Sequence, residues 1–133
     1  MKSRTVSVSI AVPPAEVYEF ASNPENLPRW APAFCLSVAY SNGEWVVQSP
    51  DGPVTIRFVE RNSFGVLDHM VKLPSGVEFY SPMRTIPNGA GSEVIFTLFQ
   101  TPDMSDEKYL EDARLVENDL RTLKRILESQ QGD

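Results

Sequence analysis

Cysteine and histidine each occur once in this 133-residue chain, as Cys35 and His69. A single cysteine excludes an intramolecular disulfide and lends no support to a cysteine-based zinc site. A single histidine does not make a histidine-based one either, so no metal and no cofactor is expected. Positive charge is also scarce. Twelve Lys and Arg stand against 18 Asp and Glu, a net charge of −6, with a pI near 4.8. Nucleic acid and anionic membranes need a basic face, which argues against both as main partners. The positive charges between Arg121 and Arg125 read as a solvated helix face. No apolar run approaches the ~20 residues that span a bilayer. The one near the N-terminus is short for a signal peptide, so no membrane insertion and a cytoplasmic location are expected. Repeats and low-complexity segments are missing as well. The length suits one domain, 1–133, large enough for a core and a modest pocket.

What the chain does have is a long amphipathic stretch near its end. Ser105 to Ser129 contains neither glycine nor proline and makes about seven helical turns. Tyr109, Ala113, Val116, Leu120, Leu123 and Leu127 recur at spacings of four and three, which is one apolar stripe. Leu115 and Ile126 widen that stripe on one side. Ser105 suits the N-cap, Asp106 and Glu107 complement the helix dipole, and Glu117 with Arg121 forms an i,i+4 pair.

Most of what precedes it reads as strand. Val6, Val8, Ile10 and Val12 alternate with small residues from Thr5 to Val12. Pro13-Pro14 ends that strand and opens a helix over Ala15 to Ser22. Asn23-Pro24 restarts a second short helix, followed by Trp30 between Pro28 and Pro32. Six further strands are predicted as an antiparallel meander: Phe34–Tyr40, Glu44–Ser49, Val54–Arg61, Gly65–Leu73, Val77–Ile86 and Ser92–Gln100. Asn42-Gly43 marks a two-residue hairpin. A helix as long as the last, following a sheet, must close one face of it. The expected fold class is therefore α+β, with a seven-stranded curved antiparallel sheet.

Register can be argued for one hairpin. A loop at Pro74–Gly76 sets Val71 against Phe79, His69 against Ser81 and Leu67 against Met83, and pairs Lys72 with Glu78 on the other face. Alternation then gives an inner set of His69, Phe79, Ser81 and Met83, joined by Ile56 and Phe58 on one side and Phe96 on the other. Trp30, Val116 and Leu120 complete the candidate ligand-binding residues. By the same alternation Asp68 points away from His69, and Arg57, Arg84 and Glu93 face out as solvated charges. Cys35 reads as an inert packed thiol, and Asn88–Gly91 as a turn rather than a phosphate loop. His69 has two readings: an acid or base in a cavity, or a buried imidazole satisfied by a hydroxyl or a backbone group.

The order of elements, and the opening VSVSIAVPPAEVYEFASNPENLPRW with Pro14, Glu16, Val17, Tyr18, Asn23, Pro24, Glu25 and Trp30, resemble the START-like (SRPBCC) superfamily. The resemblance is to its polyketide cyclase/dehydrase-like branch. The segments FGVLDHMVKLPSG and MRTIPNGAGSEVIFTLFQTPDMSDEKYLEDARLVENDL carry it over nearly the whole chain. It implies the helix-grip fold, with two short helices after the first strand and the long C-terminal helix across the concave face, enclosing a hydrophobic cavity. Members of that superfamily include lipid carriers, hormone receptors, polyketide cyclases and chaperone co-factors.

The expected function is binding of a small hydrophobic or amphipathic ligand of lipid, polyketide or aromatic type. The alternatives are a polyketide cyclase/dehydratase-like enzyme using His69 as acid or base, and a protein-interaction module of the chaperone co-factor type. A monomer or weak homodimer is expected, with a small hydrophobic molecule as partner.

Overall fold

Prolines and asparagines punctuate the first third of the chain. The structure is a computed structural model that describes residues 1–131. Strand β1 (Ser3–Ile10) gives way at Pro13 to helix α1 (Pro14–Ala21), with proline in the first turn. The Asn23 side chain accepts from the Glu25 N–H at 3.1 Å and caps a single 3-10 turn, Pro24–Asn26, which runs into α2 (Leu27–Trp30). The following strand is shorter than predicted: β2 is Ser37–Ser41. Asn42 and Gly43, at φ 53° and 80°, turn it into β3 (Glu44–Ser49), as the Asn-Gly signal requires. Then come β4 (Gly52–Phe58), β5 (His69–Lys72), β6 (Glu78–Ser81), β7 (Met83–Asn88), β8 (Gly91–Phe99) and α3 (Asp106–Gln131).

The single seven-stranded sheet is corrected. The fold is α+β and every pairing is antiparallel, but the strands form two sheets, β2-β3-β4-β5-β6 and β1-β8-β7. The predicted strand Val77–Ile86 is two strands divided at Pro82. Proline has no N–H for a ladder, and its carbonyl accepts instead from Thr97 of β8 at 3.0 Å. The chain thus leaves β5 and joins β8. The register predicted for the hairpin holds across the break: His69 faces Ser81, Val71 faces Phe79 and Lys72 faces Glu78, while the Leu67 N–H donates to the Met83 carbonyl at 2.8 Å.

A carboxylate fills the joint. Asp68, 3% exposed, accepts from the Met83 N–H at 2.8 Å and the Tyr80 hydroxyl at 2.5 Å. Arg84 donates to it twice, from Nε at 3.1 Å and Nη2 at 2.9 Å. Arg84 is therefore tied to the sheet junction rather than standing as a solvated cross-strand charge, although its side chain is 46% exposed. Burial pushes Asp68 up, but the hydrogen bonds from Arg84, Tyr80 and Met83 together outweigh it and hold its pKa at about 2.

The predicted strand Gly65–Leu73 is cut to His69–Lys72 because the chain before it belongs to a loop. Asn62 closes that loop, accepting from the Phe64 and Val66 N–H groups and donating to the Glu60 and Val66 carbonyls. Its own N–H donates to the Tyr18 hydroxyl of α1 at 2.9 Å. Gly65 is required there: its φ is +73°, and a Cβ would lie 2.2 Å from the Thr85 carbonyl oxygen.

Helix α3 follows the predicted stripe. Tyr109, Ala113, Leu120, Leu123 and Leu127 are buried and Val116 is half-buried. Ser105 caps it, its hydroxyl accepting from the Lys108 N–H at 3.1 Å. The helix lies against β1, β8 and α2 and makes no comparable approach to β3–β6. Its flank is fixed to β1: Lys124 donates to the Ser9 carbonyl at 2.8 Å, Glu128 accepts from the Ala11 N–H at 2.9 Å, and Glu117 pairs with Arg4 at 3.5 Å.

Two stability outcomes follow. Leu120→Ala is expected to cost on the order of 2–5 kcal/mol, against tenths for Arg121→Ala, whose ion pair is exposed; equal denaturation midpoints would refute the stripe. Asp68→Ala leaves a buried N–H unpaired and is expected to cost on the order of 3–5 kcal/mol. Since the Asp68 pKa is depressed from 3.8 to about 2, its contribution is present above about pH 4 and vanishes between there and about pH 2. Acid titration followed by circular dichroism should therefore show an early unfolding step that the variant lacks.

Candidate functional site

Cross-strand register assembles the inner face of the five-stranded sheet. Tyr40, Trp45, Ile56, Val71 and Phe79 form one row across all five strands. Phe58, His69 and Ser81 form part of the next. Ile56 is buried, but Trp45, Phe58, Val71, Phe79 and Ser81 are only half-buried. The cause lies in the placement of α3, which covers β1 and β8 instead. On the three-stranded sheet Val6, Phe96 and Met83 form a matching row. Met83 is fully buried and Phe96 half-buried.

His69 sits where the two inner faces meet. Its ring is 5.1 Å from that of Phe58 on one sheet and 5.7 Å, edge-on, from that of Phe96 on the other. It is 7% exposed. Nδ1 lies 3.0 Å from the Leu67 carbonyl oxygen. A carbonyl only accepts, so Nδ1 carries the proton, and in the neutral ring Nε2 is left as an acceptor. Burial lowers the pKa, opposed by the Leu67 carbonyl and the Asp68 charge. The backbone partner is one of those foreseen for a buried imidazole. Ser81, across the ladder, is its register partner. Asp68 does point away from it, as alternation requires, and is committed to Tyr80, Met83 and Arg84.

The remaining predicted residues divide. Leu120 is buried and Val116 half-buried on the inward stripe of α3. Trp30 is 4% exposed and belongs to the core cluster with residues of α1 and α3; its indole N–H has no partner among the described residues. Two surface grooves lie elsewhere. One, of about 480 Å³, runs between Phe20 of α1 and Leu127 of α3; the other, of about 540 Å³, follows β2 past Leu36, Val38, Tyr40 and Trp45. None of the predicted ligand-binding residues lines either one.

On the long helix, sequence reasoning missed a buried acid. Asp119 on α3 is 8% exposed. Burial raises its pKa to about 7, opposed only by a hydrogen bond from the Ala33 N–H. The available signal was its place beside the stripe, one turn from Val116 and Leu123. Cys35 is fully buried, its thiol raised to about 11 by burial, in keeping with an inert packed residue. Among the described residues no three metal-ligating side chains cluster, and no helix is long and apolar enough to cross a membrane.

The single histidine makes the geometry easy to check. In a proton NMR titration its ring is expected to titrate below 6.5. Because the neutral form is favoured in the folded state, the stability this contributes is full above that value and falls as the pH drops through it. A midpoint at or above 6.5 would mean the ring is solvated.

Several solved structures share the fold. XoxI from Bacillus cereus superposes with a TM-score of 0.76 at 18% identity, over 98% of this chain and 99% of that one. Ara h 8.0201 gives 0.71 at 16% identity, over 96% and 98%. The di-domain ARO/CYC protein BexL, of the BE-7585A biosynthetic pathway, gives 0.69 at 17% identity; 96% of this chain is covered and 47% of that one. At these identities the likeness is one of fold. No curated protein matches. Residues 1–128 match the family described as polyketide cyclase / dehydrase and lipid transport, and the protein belongs to that family.

Proposed function

We propose that the protein binds a small apolar or amphipathic molecule in a cavity between α3 and the inner face of the five-stranded sheet, in the helix-grip manner. His69 Nε2 supplies a hydrogen-bond acceptor within it. The observation that carries the reading is His69 itself: an imidazole 7% exposed, held as the Nδ1–H tautomer between two aromatic rings. The half-buried Trp45, Phe58, Val71, Phe79 and Phe96 add the apolar wall that an acyl chain or ring system needs. The family description, with lipid transport beside cyclisation and dehydration, agrees with such a cavity.

Binding is preferred over catalysis on one ground. A general acid or base is normally oriented by a third group. The adjacent carboxylate, Asp68, is turned to the opposite face and saturated by Tyr80, Met83 and Arg84. Among the described residues the Leu67 carbonyl is the one hydrogen-bond partner of the His69 ring. An acceptor needs no more than that.

An apolar fluorescent dye is expected to brighten with the protein and to be displaced by hydroxylated aromatic compounds or acyl chains. His69→Gln is expected to weaken a ligand that donates to Nε2 by roughly 1–3 kcal/mol, the cost of an unmade buried hydrogen bond, with the fold intact by circular dichroism. Dye fluorescence that no competitor lowers would place the dye on the surface and sink the reading.

A further inference from the structure

Helix α3 carries a second buried acceptor on the side that faces the proposed cavity. Each residue turns the helix by about 100°, so Asp112 and Asp119 fall on the flank opposite Glu117, Lys124 and Glu128. The latter three hold β1. The Asp112 flank has different landmarks: Asp112 feels the charge of Asp51 in the turn between β3 and β4, and Asp119 accepts from the Ala33 N–H between α2 and β2. Both landmarks adjoin the five-stranded sheet. Val116 lies between the two acids on this side of the stripe.

Among the described residues no cation pairs with Asp119. Arg29 of α2 lies over the Phe20 ring, 5.0 Å from its centroid. Lys108 pairs with Asp112 at 3.2 Å, and Lys124 with Glu128 at 2.7 Å on the other flank. From the sheet side Asp51 acts on Asp112 at the rim, and His69, with Nε2 as an acceptor, stands on the inner face of the sheet across the proposed cavity. Among the described residues the Ala33 N–H is the one donor that reaches Asp119. A carboxylate offers about four acceptor positions, and one left mostly unpaired in an apolar place is costly.

We propose that Asp119 determines ligand specificity, selecting molecules that present an N–H or O–H donor to α3, an ammonium above all, and rejecting carboxylate heads. The proposal rests on the cavity reading. A ligand ammonium offsets the buried charge and donates to the unused acceptor positions, whereas a ligand carboxylate adds a like charge to a desolvated one. His69 Nε2, the other acceptor, imposes the same preference for donors at the sheet side.

Three probes with one chain and different heads test it: dodecylamine, dodecanol and dodecanoate, each titrated calorimetrically below its micellar concentration. At about pH 8 the amine is expected to bind about tenfold or more tightly than the carboxylate, with the alcohol between, a gap worth one good charge-assisted contact. Amine affinity is expected to rise from about pH 6 to about pH 8 as Asp119 ionises. Asp119→Asn retains an acceptor for the Ala33 N–H and is expected to collapse the ratio and flatten the pH dependence. If that variant fails to fold, the wild-type head-group order and its pH trend decide alone. Equal binding of all three probes, or a ratio unchanged in Asp119→Asn, overturns the proposal while leaving the cavity reading intact. Binding of none overturns both.

Discussion

The structure turns on a joint between two sheets, and that joint is one carboxylate. Where Pro82 withdraws an N–H from the ladder, Asp68 takes up the Met83 N–H that follows. It also binds Arg84 and Tyr80 on the outer face. With the chain passing from one sheet to the other at this joint, Phe58 of one sheet and Phe96 of the other both lie in ring contact with His69. An uninterrupted strand from Val77 to Ile86 would continue the ladder with the preceding strand, and β7 would not be free to pair with β8 in the present register.

The second constraint is the seat of α3. Lys124, Glu128 and Glu117 tie it to β1 by one flank, and its stripe fills against β1, β8 and α2. The five-stranded sheet is consequently the less covered of the two. Apolar side chains on an inner face that remain half-buried are an energetic liability unless something else covers them. The same geometry buries Asp119 on the other flank, where among the described residues no cation pairs with it. Fold and site share these causes: the tie to β1 stabilises the helix, and the space it leaves is the one proposed for the ligand.

His69 and Asp68 show how adjacent residues acquire opposite chemistry. They differ by one position in a strand, so they face opposite sides of it. One meets aromatic rings and a carbonyl, which favours the uncharged imidazole. The other meets an N–H, a hydroxyl and a guanidinium, which favours the carboxylate despite its burial. Alternation alone predicted the separation. It did not predict that the outward residue would be as buried as the inward one, because outward is solvent only where a sheet is flat and bare.

Periodicity and punctuation, which are local, settled much from the sequence alone. The stripe from Tyr109 to Leu127, the caps at Ser105 and Asn23, the Asn42-Gly43 hairpin and the pairing of His69 with Ser81 all follow from residues a few positions apart. The resemblance in the opening segment extended that reading to the family. Tertiary structure decided what depends on distant partners. Pro82 could be read as a strand residue until Thr97 claimed its carbonyl; Arg84 could be read as solvated until Asp68 claimed its guanidinium. Trp30 is buried in the core cluster, which its local sequence did not show. Asp119 looked like one more acid on an acidic helix, since nothing near it in sequence announces that its donor will be Ala33, far back in the chain. Burial is a property of the neighbours that folding supplies, and a sequence states only the part of it that repeats with the period of its own helix or strand.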